Sequence, residues 1–194
     1  VTNDLPLDPI AIDVGDLLQK TVTSLYSHLV TRQTGRAVRM AIEAQLRAAG
    51  EMSLSLIDLS EVTVLDFSCA DEVVAKLLQR YQGPDRVEAF FVFRGVREPH
   101  RHQIEVVLER QGLAAVAETD PGRFELLGEA STEEARSWRA LEDRGLLTGD
   151  EVAQVTSEAG GEVALERLLS RRLAFRSPIT GRWHALSRLV SHLL

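Results

Sequence analysis

A single cysteine, Cys69, stands in the 194 residues. An internal disulfide is therefore impossible, and the chain is compatible with a reducing compartment such as the cytoplasm. Lysine is almost missing: Lys20 and Lys76 are the only two, and the other basic residues are arginines, which we read as coding bias and not as chemistry. No apolar run approaches the ~18 residues that a membrane-spanning helix needs, so no membrane partner is expected. The first residues, VTNDLPLDPIAIDVGD, are acidic and have no basic stretch before an apolar core, so a secretory signal is not expected there. There is no Gly-rich loop of the phosphate-cradling kind, no Ser/His/Asp arrangement that spacing supports, no solenoid repeat and no low-complexity segment. Enzyme activity and a bound cofactor are accordingly not expected.

What is present is an ordinary globular composition, 44% hydrophobic with mean hydropathy −0.06, in a length that fits one or two domains. The net charge of −7 is unevenly placed. Residues 1–130 hold 20 acidic and 13 basic side chains, whereas 131–194 hold 9 of each. Six arginines and one acid, Glu166, fall within 163–194. An acidic first part disfavours nucleic acid as its partner, while the last segment leaves that partner open.

The chain is organised around residues 53–81, SLSLIDLSEVTVLDFSCADEVVAKLLQRY. Leu54, Leu56, Ile57 and Leu59, with Ser53 and Ser55 interleaved, suit a buried strand. Ala70, Val73, Val74, Leu77, Leu78 and Tyr81 then repeat at the spacing of one apolar helical stripe. Asp66 or Ser68 can cap that helix, and Asp71 and Glu72 suit the positive end of its dipole. A loop held between a strand and a helix start is where α/β domains usually present function.

This stretch resembles the STAS family, the domain of anti-sigma-factor antagonists and sulfate-transporter tails. In that family an Asp-Leu pair closes a strand and Asp-Ser-Ser-Gly opens a helix after a spacer. Here IDLSEVTVLDFSCADEV aligns without a gap: Asp58 and Leu59 close the strand, Val62 and Leu65 fill the spacer, and Asp66 matches the motif Asp. Phe67 stands where phosphorylation-switched antagonists carry their phosphorylated Ser, Ser68 matches the second Ser, and Cys69 replaces the Gly. The nearer likeness is to STAS-like domains of uncharacterised bacterial regulators, which often have an aromatic at this place and a Thr-Arg pair upstream, where Thr31 and Arg32 sit. The resemblance covers about residues 10–128. It implies a protein partner, of the anti-sigma, histidine-kinase-like ATPase type; because Phe67 has no hydroxyl, partner binding is expected to be constitutive with respect to phosphorylation at that position.

Around this centre the sequence predicts the following. Residues 1–9 form a loose arm broken by Pro6 and Pro9. Residues 10–30 hold a short strand and a second strand or extended lead-in. Thr31 caps a helix running to about Ala49. QGPD at 82–85 is a turn, Val87–Phe93 a buried strand, and Pro99 opens a helix ending at Gly112. Strands follow at Leu113–Ala117 and Arg123–Leu127. The fold class is α/β, a mixed sheet with helices mainly on one face. After GEASTEE (128–134) the pattern changes. Ser131/Glu134 and Thr148/Glu151 are spaced as capping boxes. They start two helices, Gly160-Gly161 turns into a third, and LAFRSPITGRWHAL reads as a hairpin. A final helical turn or two is open to 187–194. Three short helices and a basic hairpin resemble a winged-helix domain over 131–194, an architectural likeness without an invariant signature.

Candidate partner-binding residues are Asp66, Phe67, Ser68 and Asp71. Phe67 offers an aromatic contact, and Ser68 is the one nearby phosphoacceptor, disfavoured by Asp66, Asp71 and Glu72 around it. The plainer reading of the loop is a helix cap with an apolar anchor. Cys69, among acids, reads as a small core residue. His100 and His102 diverge on a helix and do not read as a metal pair. Arg171, Arg172, Arg176 and Arg182 are the candidate nucleic-acid contacts. Glu158, Glu162 and Glu166 precede or flank them on the third helix, which favours a protein partner for that surface. The expected function is a cytoplasmic, non-enzymatic regulator acting by protein–protein contact; the alternative is a DNA-binding transcriptional regulator. A homodimer is left open.

Overall fold

Alternation along the strands decides the architecture. In the computed structural model, which describes residues 5–21, 28–81, 88–159 and 162–193, the elements run as β1 (Asp8–Asp13), α1 (Val14–Thr21), β2 (His28–Leu29), α2 (Arg32–Ala48), β3 (Met52–Asp58) and β4 (Val64–Leu65). One continuous helix follows, made of α3 (Phe67–Ala70), a π-helical stretch (Asp71–Lys76) and α4 (Leu77–Tyr81). Then come β5 (Glu88–Arg94), α5 (Glu98–Arg110), β6 (Ala114–Asp120) and β7 (Arg123–Gly128). The chain ends with α6 (Thr132–Arg144), β8 (Leu146–Leu147), α7 (Gly149–Ala159), α8 (Glu162–Ser170), β9 (Ala174–Arg176), β10 (Trp183–Ala185) and α9 (Leu186–Leu193).

The main sheet has the order β1-β3-β5-β6-β7. The first four strands are mutually parallel, and β7 returns antiparallel to β6. The fold is thus mixed α/β with a mixed sheet. Ile57, Phe91, Phe93, Ala115 and Ala117 point to one face, where they bury against Val38, Ile42 and Leu46 of α2, Val73, Val74 and Leu77 of the central helix, and Ile104, Val107 and Leu108 of α5. Leu54, Leu56, Phe90, Val92, Ala114 and Val116 point the other way. They bury against Trp138, Leu141, Leu165, Phe175, Trp183 and Leu189 of the C-terminal segment. Each buried Val, Leu, Ile or Phe among them contributes about 1.5–3 kcal/mol by leaving water, and each alanine less. Both faces are therefore covered, which a parallel core requires.

Some local expectations change. β1 begins at Asp8, inside the stretch read as an arm; it is an edge strand, where Pro9 costs no ladder bond. Residues 14–21 are helical, not extended, because Val14 and Leu17 bury on one side while Asp16 and Lys20 pair on the other. β2 falls where a second strand or extended lead-in is expected, and it pairs in parallel with β4, a short strand not read from the sequence. The turns expected at 82–85 and Gly160-Gly161, and residues 22–27, lie outside the described residues. Ser131 and Glu134 form the capping box with both bonds made. At α7, by contrast, the Thr148 N–H and hydroxyl both donate to Glu151 Oε2, at 2.8 and 2.7 Å. The C-terminal strands form an antiparallel sheet of order β8-β10-β9, and α9 makes two turns.

Candidate functional site

The β2–β4 pair delivers the loop. Its register joins His28 to Val64 and Leu29 to Leu65, and the Asp66 N–H donates to the Leu29 carbonyl at 2.8 Å. Asp66 then has extended backbone and caps α3, its Oδ1 accepting from the Cys69 N–H at 2.9 Å. The same Oδ1 accepts from the Ser68 hydroxyl at 2.9 Å. Ser68 is thus engaged with the motif Asp. Phe67 is half-buried against the core, and the Arg110 guanidinium lies 4.7 Å from its ring centre, a cation–π contact. Val64 in β4 and Val30 directly after β2 are 39% and 47% exposed.

The start of α2 lies against the start of the central helix. This approach needs Gly35, because a Cβ there would stand 2.9 Å from Cys69 Cα and 3.2 Å from its sulfur. Thr31 caps α2, and its carbonyl accepts from the Cys69 thiol at 2.9 Å. Burial, helped by Asp66, pushes the Cys69 pKa up to about 12, so the thiol stays protonated as a donor and is no nucleophile. Next to it Arg32 Nη1 donates to Asp71 at 2.6 Å and to Glu72 at 3.1 Å. Asp71 also accepts from Gln111 at 2.7 Å. Glu72 is 2% exposed and gathers Arg32, Arg39 and Lys76. Burial works to raise its pKa, but the hydrogen bonds from Lys76, Arg39 and Arg32 hold the carboxyl below its ordinary value. Glu72 lies in the π-helical stretch, a local widening often found at functional sites.

The structure therefore brings Asp66, Phe67, Ser68 and Asp71 onto one helix start and adds Thr31 and Arg32 from α2. Arg39, Glu72 and Arg110 were not foreseen as parts of this surface. For Arg39 and Glu72 the signal was spacing: Arg32 and Arg39 are seven apart on α2, Glu72 and Lys76 four apart on the central helix, so each pair shares a face, whereas Arg110 carried no signal in the sequence.

The four C-terminal arginines divide. Arg171 bonds Glu134 at 3.1 Å and the carbonyls of Glu129 and Gly112. Arg172 bonds Glu88 at 3.1 Å and stacks over Phe90. Both tie the C-terminal segment to the main sheet. Arg176 pairs with Glu166 at 3.8 Å, lies over Trp183, and is exposed, as is Arg182. His100 is buried and His102 exposed. Among the described residues no group of three His, Cys, Asp or Glu side chains is placed to hold a metal, and no helix is long and apolar enough to cross a membrane. Comparison with family models, with curated proteins and with solved structures returned no match.

Proposed function

We propose that the chain is a non-enzymatic regulatory module that binds a protein partner through the surface around Phe67, in the manner of STAS-like anti-sigma-factor antagonists. One observation carries this reading: Val64 on the mini-sheet and Val30 directly after β2 stand exposed, on the segments that lead into Asp66 and the half-buried Phe67 and into Arg32, which pairs with Asp71. An apolar centre with a charged rim is the composition of a protein-binding patch. The pairing of Asp71 with Arg32 and of Ser68 with Asp66 supports a preformed surface. By the resemblance, the partner is an ATPase of the histidine-kinase-like, anti-sigma kind.

For 131–194, the order helix, strand, helix, helix, hairpin supports a winged-helix-like unit. A DNA-binding role for it is less well supported, since Arg171 and Arg172 are engaged within the chain and only Arg176 and Arg182 remain exposed among the four. The test is retention of a candidate kinase-like partner by immobilised protein. Phe67→Ala and Val64→Asp are expected to release it while the melting temperature of Val64→Asp stays near that of the wild type. Equal retention by both variants would remove this surface from the account.

A further inference from the structure

The carboxyl ends of β3, β5 and β6 enclose a second site. A cleft of about 580 Å³ opens there, lined by Ser60, Arg94, Gly95, Arg97, Thr119 and Pro121 with the acids Glu118 and Asp120. Ends of parallel strands are where open α/β sheets take ligands. The cleft exists because Gly95 has φ +70° and because any Cβ there would stand 2.5 Å from the Ser60 nitrogen and hydroxyl. Only glycine lets the loops after β3 and β5 close on each other.

The cleft lining holds two arginines and two carboxylates, but they do not pair one to one. Glu118 is fully used: Oε2 accepts from Arg94 Nε at 2.6 Å and Oε1 from the Gly122 N–H at 2.8 Å. Asp120 is exposed and faces Arg123 at 3.8 Å. Arg97 differs. Its Nη2 donates to two neutral acceptors, the carbonyls of Ser60 at 2.7 Å and Val62 at 3.1 Å. No carboxylate pairs with it among the described residues. The carbonyls fix the guanidinium at the cleft without neutralising it, and the fork still has N–H donors to give. The rest of the lining includes apolar surface at Pro121 and the Ser60 hydroxyl.

We infer that this cleft binds a small organic anion, its carboxylate or phosphate on Arg97 and its apolar body against Pro121. The inference does not rest on the protein-binding role of the Phe67 surface. Arg97 and Arg110 stand at opposite ends of α5, 13 residues long, and so about 20 Å apart at about 1.5 Å per residue.

Backbone amide NMR titration of the full chain tests it, with benzoate and phenyl phosphate as the two anionic probes and benzyl alcohol as the neutral one. Saturable shifts are expected at Ser60, Gly95, Thr119 and Asp120 with at least one anion, and the stronger of the two names the head group. Arg97→Gln is expected to weaken that binding about tenfold or more. Arg97→Lys keeps part of it, and Arg110→Gln, at the Phe67 surface, keeps all of it. No saturable shift in the wild-type protein at millimolar probe overturns the inference. So does equal binding of benzyl alcohol, or unaltered affinity in a folded Arg97→Gln.

Discussion

The two faces of the sheet are closed in opposite ways. On one, Phe91 and Phe93 lie under helices that connect neighbouring strands, so the covering residues are near in sequence. On the other, Phe90 and Val92 lie under residues about 50–100 positions downstream, contributed by α6, α8, β9, β10 and α9. The first face also carries the charged lattice of Arg32, Arg39, Glu43, Glu72 and Lys76 on its helices. The second is held by rings, with Phe90 and Phe175 edge-to-face at 5.4 Å and Arg172 over Phe90. The difference teaches that the proposed binding surface near Phe67 sits on the locally built face. The C-terminal segment acts first as the lid of the other face.

The sharpest way to break this comparison is Phe90→Ala. It removes a buried ring shared by both parts, so a loss of about 3–5 kcal/mol is expected from cavity formation. Both tryptophans, Trp138 and Trp183, belong to the C-terminal segment and are buried. Their fluorescence reports that part alone, while far-ultraviolet circular dichroism reports the whole. In the wild type the two denaturation curves are expected to coincide, because one core joins the parts. A tryptophan transition well below the dichroism transition would show that the lid unfolds alone, and the shared-core account would fail.

Glu72→Gln probes the charged face. Breaking it leaves Arg39, which is largely buried, without its second carboxylate, and Arg32 and Lys76 without their buried one. Arg32 and Lys76 stay partly hydrated, so the expected loss at neutral pH is about 2–3 kcal/mol, within the range for charged hydrogen bonds. The sign with pH follows from the lowered pKa of Glu72: its stabilisation is complete above its ordinary value of 4.5 and is lost as pH falls through the depressed one. Urea denaturation of both proteins from pH 7 to pH 3 is expected to show the gap closing only below pH 4.5. A gap that does not change with pH would mean that the ion pairs contribute nothing and the variant disturbs packing alone.

The same contrast explains what the sequence made legible. Thr31, Asp66, Pro99 and the Ser131/Glu134 box mark helix starts through local chemistry, and helices begin at or beside each. The apolar stripe from Ala70 to Tyr81 gave the central helix, because side-chain periodicity is a property of one segment. The π-helical widening at Asp71–Lys76 was not legible in the apolar stripe, and neither was the close approach of Glu72 to α2 at Gly35. Phe90 and Phe91 read alike in the strand, and nothing in the segment says which one meets Phe175. Of the candidate site, Asp66, Phe67 and Ser68 followed from the loop itself, whereas the Arg110 contact and the Arg97 cleft needed the tertiary arrangement.

The smallest expected effect lies in the strand between the two faces. Ser53 and Ser55 alternate with Leu54 and Leu56 and are fully buried on the helical side of β3. Among the described residues neither hydroxyl has a hydrogen-bond partner. A buried, unsatisfied hydroxyl carries a desolvation cost that no bond offsets. Ser55 sits between Ile10 and Phe91 in the flanking strands, an apolar site where Ala fits in less volume and with no polar atom to bury. Ser55→Ala is therefore expected to raise stability, by up to about 1 kcal/mol once the small cavity is counted against the removed polar group. On the other face Leu54→Ala must do the reverse, because it removes only apolar contact. Chemical denaturation of the pair reads both signs at once. A destabilised Ser55→Ala would mean that its hydroxyl has a bonded partner after all, such as a bound water, and that the helical face is not as dry as the one under the C-terminal segment.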